Sequence, residues 1–598
     1  MDDPRKQGPQ QGPIDWSEFI KQAQQSGAGA DFNKIKSRFS HLKKRTIIIA
    51  AVVLVLVLAL AYWWFHPAIN IQSIDLWGFL IVILALVTFV LFVFRQIYQT
   101  GMGKREKSPK KVKLFSGLMA IPIAIAVIGA VGWLASQSFF PGNAEKYSTV
   151  LVTEDADFAT DIPEVNYSEI PFIDKDSAIL LGNRTMGTMA DYVSQFEISD
   201  LYSQINYKGQ PVRVSPLNYA DFFKWWANKD GGIPAYVIVN MSTQDTEIVR
   251  LENPIRYSDS DPFFYNVDRH VQLSYPFYMF DEKSFEINDD GEPFWIYPVQ
   301  KRTIGLFGGT TIQRVVLCNA STGECQDFAI EDVPQWVDRA YPAELLIEQY
   351  NWSGALSGGW INSWLGQNGV KQTTPSTDGK SGFNYIAQDD DVWVYSGVTS
   401  ATADNSIIGC VMINQRTAES KFYSVAGATE ESAMRSAEGQ VQHLQYDATF
   451  PLLINVDGQP TYFMALKDAA GLVKMYAMVD IQRYQNVAVG DTLAATEKSY
   501  KQLLVSQGIN VGGSDASAHP SAGSTSGTIA SISPVVLDGN SHYYLILDGQ
   551  QAIFDCPVAS VVDVVRYKVG DVIVLNHGSS EGNVVLVDSM RDVYCCLR

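Results

Sequence analysis

Histidine and cysteine are scarce, seven and six in 598 residues. Neither forms a Cys-x-x-Cys or a paired-histidine spacing, so the sequence signatures of a zinc site are missing. Three long apolar runs carry no ionisable side chain, which excludes an ion path or proton relay within them. The acidic stretches Asp389-Asp390-Asp391, Asn288 to Gly291 and Asp155-x-Asp157 lack the closing bidentate glutamate of a calcium loop and read as turns. "GSSEG" around Ser580 matches a nucleophile elbow in letters only; without a strand-to-helix context and a following acid and histidine it reads as a hairpin loop. These absences point to a non-catalytic chain with no cofactor and no metal.

The apolar runs Ile47 to Phe65, Leu76 to Phe94 and Leu114 to Leu134 are each long enough to cross a hydrocarbon layer of about 30 Å as a helix. Pro122 marks a kink in the third. Residues 1–45 carry nine basic residues and 95–113 carry seven, whereas 66–75 carry none. The positive-inside rule therefore puts the N-terminus and second loop in the cytoplasm and everything after about Ser136 outside, as a multi-pass protein with three spans. The first run has no small-residue cleavage site and reads as a retained signal anchor. In the tail, Phe32, Ile35, Phe39 and Leu42 share one helical face among basic residues, an amphipathic helix on the inner leaflet or a docking site for a cytoplasmic partner.

Outside, 29 basic residues face 57 acidic ones, a formal charge of −28. Such a surface repels nucleic acid. All six cysteines lie there. Cys318 and Cys325 bracket "NASTGE", and across a hairpin they would sit within disulfide reach; Cys556 could reach Cys595 or Cys596. His270 and His443 stand at similar places before the strands of two repeats and read as structural, with acid–base work as the alternative.

The repeats rest on two signatures. Gly232-x-Pro234-x-Tyr236, Gly291-x-Pro293-x-Trp295 and Gly458-x-Pro460-x-Tyr462 each read as a turn feeding a strand. Asn240-x-x-Thr243, Asn319-x-x-Thr322 and Asn414-x-x-Thr417 share a turn chemistry in which the Asn side chain bonds its own backbone, while Asp480-x-x-Arg483 departs from it. Four imperfect copies follow, starting near 232, 291, 389 and 458. Helices are expected over Asp176–Tyr192, Tyr219–Asn228, Pro342–Tyr350, Glu430–Val441 and Leu493–Val505, each packed on a small antiparallel sheet.

The hairpin "VVLCNASTGECQDF" resembles the Asp/Asn-x-x-Thr-Gly turn of PepSY-like units. Residues 174–505, through runs such as "GCVMINQRTAESKFYSVAGATEESAMRSAEG", resemble the ectodomain of uncharacterised membrane-anchored proteins of Gram-positive bacteria. That resemblance implies binding or restraint of a partner and carries no assigned chemistry.

The expected fold class is α+β. It comprises a cytoplasmic tail (1–45), three transmembrane helices (46–135), about four PepSY-like units (136–505), a flexible linker (506–526) and a small OB-like or SH3-like β-barrel (527–598). The expected function is an extracytoplasmic scaffold that binds an envelope protein or peptide. The alternative is an envelope hydrolase or peptidase regulator with a site in the aromatic-rich region 218–300. Candidate surface residues are Trp225, Trp226, Tyr275, Phe277 and Trp295. The two readings part on whether Trp225, Trp226, Tyr275 and Phe277 line an open acidic cleft or interlock in a dry core.

Overall fold

The computed structural model describes residues 44–100, 109–164, 170–375, 382–388, 390–400, 406–507, 509, 523–537, 540–550, 552–558, 561–577 and 584–592. The amphipathic tail, Asp389, most of the linker, the "GSSEG" loop, Cys595 and Cys596 lie outside them. The chain divides into two compact bodies, Met1–Leu503 and Leu504–Arg598.

In the first body the N-terminal apolar sequence is helical over Lys44–Phe65, Ile74–Thr100 and Pro109–Ala135. The second and third of these are long and apolar enough to cross a membrane; the described apolar part of the first, Val52–Phe65, is shorter. The third helix runs through Pro122 without interruption. The two long helices pack side by side, with Phe94 stacked on Phe115 at 5.6 Å. Gly129 leaves room for Trp77, whose ring lies 2.7 Å from where a Cβ would stand.

Beyond them come four antiparallel meanders. The first contains Ser203–Tyr207, Gln210–Tyr219, Ile233–Asn240 and Thr246–Ile255; the second, Ser284–Ile287, Pro293–Ile304, Gly308–Asn319 and Cys325–Ala329. The third contains Asn384–Gln388, Asp391–Ser400, Gly409–Asn414 and Ser420–Tyr423; the fourth, Leu452–Val456, Gln459–Lys467, Val473–Asp480 and Val487–Gly490. Extra strands join them, among them Thr153–Ala156, which pairs in parallel with Ser420–Tyr423.

Each meander turns from its first to its second strand through a left-handed residue: Gly209 (φ 76°), Gly291 (φ 80°), Asp390 (φ 64°) and Gly458 (φ 78°). In the first and fourth the preceding Lys208 and Asp457 are left-handed too, the two-residue turn whose twist suits a hairpin. This corrects the register of the first copy. Its equivalent of Gly291-x-Pro293 and Gly458-x-Pro460 is Gly209-x-Pro211, whereas Gly232-x-Pro234 opens the third strand. The cause is the helix Phe222–Asn228, inserted between second and third strands, whose exit needs a glycine turn of its own.

The turn after the third strand is the same in all four copies. The side-chain oxygen of Asn240 accepts from the backbone N–H of Ser242 and Thr243, both at 2.9 Å. Asn319 accepts from Ser321 and Thr322, and Asn414 from Arg416 and Thr417. Asp480, the one that departs in letters, accepts from Gln482 and Arg483 at 2.9 and 3.2 Å. A carboxylate performs the same capping as an amide oxygen, so the chemistry repeats where the residue does not.

A capped helix lies beside each sheet. Asp174, Asn266 and Thr429 accept from the backbone N–H three residues on, starting Lys175–Met186, Val267–Ser274 and Glu430–Gln440. Ala343–Leu356 shares one core with the second and third sheets, through Leu346, Ile312, Val315, Val394 and Ile413. Glu430–Gln440 shares another with the third and fourth, through Ala433, Tyr395, Met412, Tyr462 and Val479. The third sheet is thus covered on both faces. Lys175–Met186 reaches the fourth sheet, with Ser177 Oγ donating to Gly471 O at 3.2 Å, while Phe285 N donates to Ser203 Oγ between the second and first. The fourth sheet therefore meets the first, and the four close a ring on the plan of a small propeller with helices wedged between blades.

The second body is a sheet closed on itself. Gly523–Leu537 pairs with Val572–His577 through its first half and with Asn540–Leu547 through its second, across a bulge between Ile529 and Ser531. Ile553–Pro557 and Val584–Asp592 complete the closure around Ile529, Leu545, Phe554, Cys556 and Ile573.

Candidate functional site

The five aromatic candidates do not share a site. Trp225 and Trp295 are 6% and 1% exposed, and their indole N–H groups are held by Asp261 Oδ2 at 2.6 Å and Tyr257 O at 2.8 Å. Both are core residues, a correction to their reading as surface: Trp225 is the one buried residue of Phe222–Asn228, and Trp295 sits in a largely buried strand. Trp226 and Phe277 are 63% and 64% exposed. Tyr275 is half-buried and stacks on Tyr278 at 5.3 Å. The region thus forms neither a cleft lined by these aromatics nor a single dry core.

An acidic cleft does exist in the same region. About 320 Å³ is lined by His66, Asp259, Asp268, Gln272, Lys283 and Tyr297, among others. Lys283 Nζ bridges Asp259 and Asp268 at 2.8 and 2.7 Å, and Tyr297 Oη donates to Asp268 at 2.6 Å. Burial pushes the Asp259 carboxyl up against the pull of Lys283. One lysine faces four carboxylates, Asp259, Asp268, Asp281 and Glu282, so the cleft keeps an acidic excess. A second cavity, about 210 Å³, opens between the first, third and fourth sheets beside Asp174, Arg213, Tyr385 and Phe463.

Buried charge ties the strands Ser284–Ile287 and Ser203–Tyr207 to the segment that leads into Ala343–Leu356. Glu286 accepts from Ser284 Oγ at 2.8 Å and from the backbone N–H groups of Asp338 and Arg339 at 2.9 and 3.2 Å. Asp338 in turn accepts from Asn206 N at 2.6 Å. Burial raises both carboxyls, and for Asp338 the nearby Glu286 adds to it.

One cluster brings together residues far apart in the chain. Cys318 and Cys325 are direct cross-strand partners, as the hairpin predicts, and both are free thiols. The structure adds His270 from the preceding helix, with the ligand atoms of all three within 4.8 Å of one another. The ring bonds Gly323 O through Nε2 at 2.8 Å and packs on Tyr257 at 4.3 Å. Hydrogen bonding to Cys318 and then to His270 holds the Cys325 thiol down, to about 6, while Cys318 and His270 are both pushed up. Sequence reading singled out the pair and, separately, His270 as structural, but did not bring the histidine, 48 positions upstream, to the thiols. His443, its expected counterpart, follows the helix Glu430–Gln440 and is exposed.

The chain matches no family model and no curated protein sequence. Among solved structures, similarity is to a tryptophan-to-alanine variant of the Synechocystis apocarotenoid oxygenase (11% identity, 52% of this chain, 64% of that one, TM-score 0.16). A glutamate-to-glutamine variant of the same enzyme gives 10% identity with the same coverage and TM-score, and its cobalt-substituted form 8%, 50% of this chain, 49% of that one and 0.11. The match spans less than two-thirds of those chains, and at these TM-scores the likeness bears on neither fold nor function.

Proposed function

We propose that the chain is a membrane-anchored extracytoplasmic scaffold of a bacterial envelope, non-catalytic, with three spans, a cytoplasmic N-terminus, PepSY-like units in its ring and an OB-like or SH3-like terminal barrel. The observation that carries the reading is where the exposed apolar side chains gather. Phe264 lies 5.9 Å from Trp63 and Phe307 6.1 Å from Trp77, each at the end of an apolar helix, and Trp360 lies 6.0 Å from Phe139, just beyond the third. Around them Phe223, Trp226, Phe277, Ile361, Trp364 and Leu365 are all more than half exposed. Aromatic side chains at that level suit a membrane–water interface. Trp226 and Phe277 are then lipid contacts, and the acidic remainder of the ring faces an envelope protein or peptide.

The acidic cleft beside Lys283 favours the second reading, a regulator with a site inside 218–300. Crosslinking from intact cells at native expression separates the two. A specific envelope protein recovered through the ring supports the scaffold. Recovery of none, together with loss of a hydrolytic phenotype in Lys283→Met, would favour the regulator. The topology is checked independently by labelling single cysteines placed in the tail and in 66–73.

A further inference from the structure

We propose that His270, Cys318 and Cys325 form a binding site for a thiophilic cation with a filled d shell, Zn²⁺ or Cu⁺. Two thiolates and an imidazole are the donor set such cations select. The geometry fits. A tetrahedral centre with metal–sulfur bonds of about 2.3 Å needs its sulfurs about 3.8 Å apart, inside the 4.8 Å that contains all three ligand atoms. Cys318 is buried while Cys325 and His270 are half-buried, so one side is closed by protein and the other leaves an entry path.

The internal repeats supply an independent argument. The same cross-strand position is Val239 with Thr246 in the first sheet, Ile413 with Ser420 in the third and Val479 with Val487 in the fourth. No other copy has a sulfur there. In the second copy both members of the pair are cysteine, and the adjacent helix puts an imidazole against them.

The surroundings hold the ligands in place. Gly323 O fixes the imidazole through Nε2, and carbonyl bonds of this kind orient metal-ligating histidines. Gly323 itself is left-handed (φ 77°), and a Cβ there would stand 2.2 Å from the Tyr257 ring that packs on His270. The Asn319 turn sets the spacing of the two strands that carry the sulfurs. Binding forms two metal–sulfur bonds and one metal–nitrogen bond and releases the thiol protons to water, with no change of oxidation state.

The test uses the full chain in detergent, purified under nitrogen with a phosphine reductant. It is titrated separately with Zn²⁺, with Cu⁺ and with Co²⁺ as a spectroscopic stand-in. Expected is equimolar uptake, with sulfur-to-cobalt charge-transfer bands; the cation that saturates at the lower free concentration is the one the site takes. His270→Gln weakens binding by roughly ten-fold or more, and Cys325→Ser abolishes it. Cys410→Ser and the double variant Cys595→Ser, Cys596→Ser leave it intact. Melting temperatures without metal show whether each variant still folds. Uptake insensitive to His270→Gln and Cys325→Ser overturns the proposal. So does a Cys318–Cys325 disulfide, found by peptide mass in protein isolated without reductant, whatever the reduced protein then binds.

Discussion

Removing the Glu286 side chain tests whether buried polar contacts hold the strand Ser284–Ile287 to the segment before Ala343–Leu356. Glu286→Ala leaves three donors without an acceptor: Ser284 Oγ and the backbone N–H groups of Asp338 and Arg339. A buried donor stripped of its partner costs about 1–3 kcal/mol. The hydroxyl can rotate to another acceptor, so the two backbone groups dominate, and the expected loss is about 3–5 kcal/mol. For a body of this size each kcal/mol moves the midpoint by about 1–2 °C, so Tm falls by about 3–10 °C. Glu286→Gln keeps an acceptor and loses less than half of that.

The pH dependence gives the same experiment a second readout. Burial raises both carboxyls, so the folded state keeps protons that the unfolded chain releases above about pH 4–5. Stability from this pair is therefore present at low pH and declines as pH rises through the window between the ordinary and the raised values, by about 1.4 kcal/mol per pH unit for each retained proton. Asp338→Asn removes one titrating group and flattens that slope. Thermal unfolding followed by circular dichroism from pH 4 to 8 measures both. A Glu286→Ala loss under about 1 kcal/mol, or an Asp338→Asn profile that superimposes on the parent, would refute the reasoning.

Three further outcomes follow from single contacts. Asp391 binds Arg416 through both carboxylate oxygens, at 2.6 and 2.8 Å, and also accepts from Asn414 Nδ2 at 2.7 Å; Asp391→Ala should cost about 2–4 kcal/mol, and a denaturant midpoint that does not move would show the triad to be idle. Ala418 is left-handed (φ 61°) where the second copy has Gly323, so Ala418→Gly should stabilise by about 0.5–1 kcal/mol after loss of its methyl contacts; a lower Tm counts against the strain. Burial pushes Asp174 up, but hydrogen bonds from Lys467 and Ser177 outweigh it and hold the carboxyl below its ordinary range. Its contribution is present above the unfolded value of about 3.9 and lost as pH falls through the lower folded value, so in Lys467→Met acid unfolding begins at higher pH, which overlapping acid titrations would disprove.

Much of the ring was legible because it is built from local chemistry. A glycine or aspartate that accepts positive φ, a proline at the start of a strand and an Asn three residues before a Thr are short-range signals, and they located turns in all four copies. The helices at Lys175–Met186, Ala343–Leu356, Glu430–Gln440 and Leu493–Ser506 overlap their expected spans because caps and periodicity are local too. Which faces meet is not local. The run Asp391–Thr399 is buried at every position, the mark of a strand covered on both sides, yet nothing in its letters says that the covers are the second and fourth sheets. The register of the first copy was misread because Gly232-x-Pro234 imitates a signal whose true occurrence, Gly209-x-Pro211, is followed by Arg213 rather than an aromatic.

The same repetition gives a way to separate scaffold from specialisation in a single chain. Positions that recur in all four copies, the left-handed turn and the Asx turn, are those the meander itself requires. Where one copy breaks the pattern, folding alone does not account for the change. The first copy inserts Phe222–Asn228, which exposes Phe223 and Trp226 and packs Trp225 on Phe263. The second replaces an apolar cross-strand pair with Cys318 and Cys325 and sets His270 against them. Both departures fall in the two sheets next to Trp63 and Trp77, while the third and fourth sheets keep apolar or small residues at the paired position. The distribution divides the ring: the later copies complete it and its core, and the earlier two hold the departures on which the proposed lipid, metal and partner contacts rest.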